Sequence, residues 1–98
     1  MTFEWSEITS EEVILYQNAP NPFLDKTSIT FELPKAMEAQ IEIFDVSGKI
    51  MYRKNDFYNQ GKNTIFVTTS ELDGLPGVVY YTLKTEYSNI TKKMILLK

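Results

Sequence analysis

The chain has 98 residues, 43% of them hydrophobic, with six Tyr, six Phe and one Trp, enough for one domain with a single core and too apolar for a disordered segment. Its formal charge of −3 argues against nucleic acid as a partner, because phosphates call for a basic field. The absence of Cys and His excludes disulfides, zinc held by thiolate or imidazole, and the commonest catalytic bases and nucleophiles.

Residues 1–12 carry Glu4, Glu7, Glu11 and Glu12 with no Lys or Arg and no alternation. They are expected to form a linker or strap ahead of a domain at 13–98, with Phe3 and Trp5 the residues able to pack on that domain. Met1-Thr2-Phe3-Glu4 is acidic where a signal peptide is basic, so a fragment of a longer secreted protein is one expectation. Val13–Tyr16 opens the strands. Ala19-Pro20-Asn21-Pro22-Phe23 lacks two ladder donors and is predicted to be an extended corner with Phe23 tucked under it.

Beyond the corner, alternation dominates. Thr27–Leu33 sets Ile29, Phe31 and Leu33 on one face, and Gln40–Phe44 does the same with Ile41 and Ile43. Asp45-Val46-Ser47-Gly48 predicts a tight hairpin turn. Lys49–Arg53 places Ile50 and Tyr52 together, 59–63 reads as a loop, and Thr64–Thr68 pairs Ile65 with Val67. Ser70–Asp73 predicts one helical turn before a bend at Gly74–Gly77. Val78–Leu83 puts Val79, Tyr81 and Leu83 on one face, and Ser88-Asn89 reads as the last turn. In the closing strand, 91–98, Met94 and Leu96 lie opposite Ile95 and Leu97. About seven short strands, each with one buried face, predict an all-β antiparallel sandwich of two sheets.

Catalytic chemistry finds no footing in these residues. Asp45 suits its own turn, Asn18, Asn21 and Asp25 are too sparse for calcium, and the glycines match neither a P-loop nor a dinucleotide fingerprint. No catalytic, metal-binding or cofactor-binding residue is therefore expected. Tyr52, Phe57, Tyr58 and the Tyr80-Tyr81 pair are the aromatics able to stack on a sugar ring, although such residues more often serve the core or cross-strand pairs. Lys92-Lys93 on an edge strand would blunt pairing with another chain, or would present a positive feature to a partner. An edge strand also leaves self-association open.

Several segments taken in order resemble a known family. Leu15-Tyr16-Gln17-Asn18-Ala19-Pro20-Asn21-Pro22-Phe23, Thr27–Pro34, Ile41–Lys49, Gly61-Lys62-Asn63, Leu72 with Gly77–Leu83, and Thr91–Leu97 are together similar to the type A C-terminal sorting domain of the type IX (Por) secretion system of Bacteroidota. Two features depart from it: Val79 stands where an aromatic is usual, and the Gly74–Gly77 bend is short. The resemblance implies an immunoglobulin-like sandwich, without enzymatic activity, at the end of a larger cargo protein. That cargo would cross the inner membrane by an ordinary signal peptide and the outer membrane through the secretion machinery, to be released or attached at the cell surface. It also implies that recognition falls on Gly77, Val78, Tyr80 and Tyr81, and on Lys92, Lys93, Met94, Ile95, Leu96 and Leu97. The alternative is an immunoglobulin-like accessory module that binds carbohydrate or protein through its aromatics.

Overall fold

Branched and aromatic side chains at every second position suit a pleated surface with one wet and one dry face, and the chain folds accordingly. A computed structural model describes residues 12–72 and 76–97. It contains seven strands: β1 (Ile14–Leu15), β2 (Lys26–Leu33), β3 (Met37–Asp45), β4 (Ile50–Tyr58), β5 (Gly61–Thr68), β6 (Gly77–Lys84) and β7 (Asn89–Leu96), with one 3₁₀ turn at Thr69–Leu72. A three-stranded sheet in the order β1-β2-β5 faces a four-stranded sheet in the order β4-β3-β6-β7. Every ladder is antiparallel.

Alternation decides what lies between the sheets. Ile29, Phe31 and Leu33 of β2 and Ile65 and Val67 of β5 meet Ile41 and Ile43 of β3, Val79, Tyr81 and Leu83 of β6, and Met94 and Leu96 of β7, all buried. Each such side chain withdrawn from water contributes about 1.5–3 kcal/mol. Phe23 is buried beneath the corner, as its flanking prolines lead one to expect, and Leu72 plugs the 3₁₀ turn into the same core.

The β3–β4 turn shows local chemistry setting a register. The Asp45 carboxylate accepts the amide N–H groups of Ser47 (2.9 Å) and Lys49 (3.0 Å) and the Ser47 hydroxyl (2.6 Å). Those bonds, the Ser47 hydroxyl foremost, hold its pKa below the usual aspartate value. Gly48 closes the turn at φ +91°, a conformation that costs other L-residues about 1–2 kcal/mol.

Four expectations need correction. Ile50 and Tyr52 do not share a face: Tyr52 pairs with Ile43, and the next pair is Ile50 with Phe44, so Met51 is an extra residue in a bulge. The bulge turns Ile50 outward to 43% exposure while Met51 and Tyr52 pack against the core. β4 also runs on to Tyr58, held by β3 as far as the Met37–Tyr58 pair. The loop at 59–63 shrinks, because Gly61, Lys62 and Asn63 pair with Leu33, Glu32 and Phe31. Gly61 takes the bend at φ +98°. Finally, the last turn is Thr85–Ser88, closed by reciprocal main-chain bonds, and Asn89 already pairs with Lys84. The strap expected at 1–12, apart from Glu12, Asp73 of the expected helical turn, and Gly74 and Leu75 of the expected bend lie outside the described residues.

Candidate functional site

Prolines at 20 and 22 end the ladder to β2, and the chain crosses from the three-stranded sheet to β7. The Ala19–Pro20 and Asn21–Pro22 peptide bonds are cis. Within this corner the buried Asn18 donates from Nδ2 to the Pro20 carbonyl (3.1 Å) and to Thr27 Oγ1 (2.9 Å), and its Oδ1 accepts Gln17 Nε2 (2.7 Å). Thr27 Oγ1 in turn donates to the Pro20 carbonyl at 2.9 Å. The opposite sheet reaches in as well. Tyr81 of β6, wholly buried, accepts the Asn18 amide N–H on its hydroxyl (2.8 Å) and donates that hydroxyl to the Tyr16 carbonyl (2.9 Å). Burial pushes its phenol up to about 12.

Past the prolines the corner docks along β7. Phe23 N–H donates to the Ile95 carbonyl (3.0 Å), Leu97 N–H donates to the Phe23 carbonyl (2.8 Å), and Phe23 and Leu96 form a parallel bridge. The side chains of two corner residues continue the seam: Ile95 N–H donates to Asn21 Oδ1 at 2.9 Å, and Gln17 Nε2 donates to the Lys93 carbonyl at 2.8 Å. Among the described residues, β7 is the last strand of its sheet, and its open edge is the stretch before Ile95, apart from the Lys93 carbonyl.

The ten residues expected to carry recognition divide by the pleat. Gly77, Lys93 and Leu97 are exposed, and Val78, Tyr80, Lys92 and Ile95 are half-buried, whereas Tyr81, Met94 and Leu96 lie in the core. Lys92 and Lys93 point to opposite faces: Lys93 stands opposite Tyr80 on the outer face, while Lys92 stands opposite Tyr81 at the rim of the inner face. Beside Lys93, Tyr80 stacks on Phe44 with centroids 5.6 Å apart and planes at 22°.

The suggested sugar platform is not assembled. Tyr80 and Tyr81, as strand neighbours, face opposite ways. Tyr58 packs edge-on against Phe31 at 4.9 Å, and Tyr52 packs against the core. Phe57 alone of the five is largely exposed, in an open groove of about 730 Å³ beside Glu38, Gln40 and Asn55.

The residues that sequence reasoning missed are Gln17, Asn21 and the outer-face ion cluster. Glu42, 7% exposed, lies between Arg53 (Nη2 at 2.7 Å and Nε at 2.9 Å) and Lys84 (Nζ at 3.3 Å). These partners, Arg53 most strongly, outweigh burial and hold its pKa below the ordinary 4.5. A carboxylate with a lowered folded pKa contributes stability above its unfolded value and loses it as pH falls through the folded one. Glu42→Gln is therefore expected to lower the melting temperature at pH 7 and to converge on the wild type below pH 4.5. Thermal melts across that range check this, and a pH-independent difference would contradict it.

A sequence model of the family described as "Secretion system C-terminal sorting domain" matches residues 18–97, from the buried asparagine of the corner to the residue after β7. Among solved structures, the chain is similar to the crystal structure of a β-glucosidase from Kluyveromyces marxianus, with a TM-score of 0.58 and 10% identity over 89% of this chain. The chain spans 14% of that enzyme's length, and a likeness at this identity speaks for the fold alone. No curated protein matches the chain.

Proposed function

We propose that this chain, which belongs to the family of type IX secretion system C-terminal sorting domains, directs a larger cargo protein through the outer membrane for release or attachment at the cell surface. A sorting domain of this type marks a secreted or cell-surface protein and works with the secretion machinery, and the family is non-catalytic. No helix among the described residues is long and apolar enough to cross a membrane. The observation that carries the proposal is the extent of the family match, which takes in the corner, both sheets and β7.

Recognition is proposed to fall on Gly77, Val78, Tyr80, Lys92, Lys93, Ile95 and Leu97, which reach solvent along the β6–β7 hairpin. Tyr81, Met94 and Leu96 serve it from below, by anchoring the hairpin in the core. Residues 1–12 are proposed as the link to the cargo. The test is export of a fluorescent protein carrying this chain at its C-terminus, in a host with type IX machinery. The fusion is expected in the medium or on the cell surface. Retention in the periplasm at the level of a fusion lacking the chain would overturn the reading.

A further inference from the structure

In an antiparallel ladder, residues alternate between those that bond their neighbour strand and those whose N–H and C=O point away from it. On β7 the corner identifies the second set, because Ile95 offers it both groups and Leu97 its N–H. Two-residue periodicity places Lys93, Thr91 and Asn89 in the same set. At Lys93 the carbonyl is taken by Gln17. Among the described residues, the Lys93 N–H and both main-chain groups of Thr91 meet no partner. The β6–β7 turn bounds this window on one side and the corner bounds it on the other.

We propose that an extended, acidic segment of the export machinery adds to Asn89–Lys93 as a fifth strand of the four-stranded sheet, with the corner acting as the stop that sets its register. This rests on the sorting function proposed above. Main-chain bonds at Thr91 and Lys93 supply affinity, and side chains supply selection. Because Lys92 and Lys93 lie on opposite faces, the matching segment carries acidic residues at consecutive positions, one for each lysine. A strand shifted toward Ile95 would have to displace Asn21 and Phe23 from bonds they already make.

The test uses the same fluorescent fusion with single substitutions. Thr91→Pro removes an outward N–H while leaving the ladder to β6, and proline is tolerated on edge strands. Thr91→Ala keeps that N–H and loses the same 2.7 Å hydroxyl contact with Thr82. Export is expected to fall at least tenfold in Thr91→Pro and to stay near wild type in Thr91→Ala. Lys93→Pro, with Lys93→Gln as its control, repeats the comparison where folding tolerates one proline better than the other. Either proline variant exported like its control would overturn strand addition while leaving sorting intact, whereas failure of the unsubstituted fusion would overturn both. Lys92→Glu combined with Lys93→Glu keeps every N–H; unimpaired export of that variant would overturn the acidic partner.

Discussion

Phe23→Ala is expected to destabilise the domain by about 3–5 kcal/mol, the range for emptying a buried phenylalanine site. Phe23 is 1% exposed and anchors a corner whose other members are mostly polar or proline. Its main chain is bonded to both Ile95 and Leu97, so the cavity forms where the corner is fastened to β7. Domains of this size carry about 5–15 kcal/mol in total, and the loss is a large share of that. Urea unfolding measures the loss, and amide exchange locates it. The amides of Ile95 and Leu97 should exchange faster by a larger factor than those of β3, whose ladders to β4 and β6 do not involve the corner. A cost below about 1 kcal/mol would show that Phe23 is not the anchor.

Tyr81→Phe is expected to cost about 2–4 kcal/mol although it removes one oxygen, because the Asn18 amide and the Tyr16 carbonyl both lose their partner. The same hydroxyl makes the domain sensitive to alkali. Its folded pKa of about 12 exceeds the ordinary 10.0, so the fold favours the neutral phenol. That contribution is complete below pH 10 and is lost as pH rises toward 12. Tyr16, Tyr52 and Tyr58 are also raised, so the wild type and the variant both weaken in alkali. The gap between them should narrow from pH 9 to pH 12 in urea titrations. A constant gap would mean that Tyr81 does not titrate with unfolding.

Much of the fold was legible because a strand's side chains have a period of two, and that period shows in one sequence. The buried faces of β2, β3 and β6 follow from it directly, whereas in β7 both faces are apolar toward the end and the period alone does not choose between them. The same rule separates Lys92 from Lys93 and Tyr80 from Tyr81, and so tells against a shared aromatic platform. The Met51 bulge was not legible: one unpaired residue changes no composition, yet it put Ile50 and Tyr52 on opposite faces. The prolines announced a corner and Phe23 its buried anchor, but nothing local to residues 17–23 names the strand they fasten. That partner lies 74 residues on at the Asn21–Ile95 bond, and pairing at such separation leaves no periodic trace. The Glu42 cluster was missed for the same reason, since Arg53 and Lys84 reach it from two other strands.

The seam between the corner and β7 has a consequence for timing. Contacts between distant parts of a chain form late, because a long loop must close before they contribute. Asn21 and Phe23 leave the ribosome long before Ile95 and Leu97 exist to receive them, so the corner stays unfastened until almost the whole domain has been made. A molecule broken off before Ile95 would lack the bonds that fasten Asn21 and Phe23 to β7. On the proposed reading, a partner that pairs with the edge of β7 would meet it held in register only in a chain made as far as Leu97.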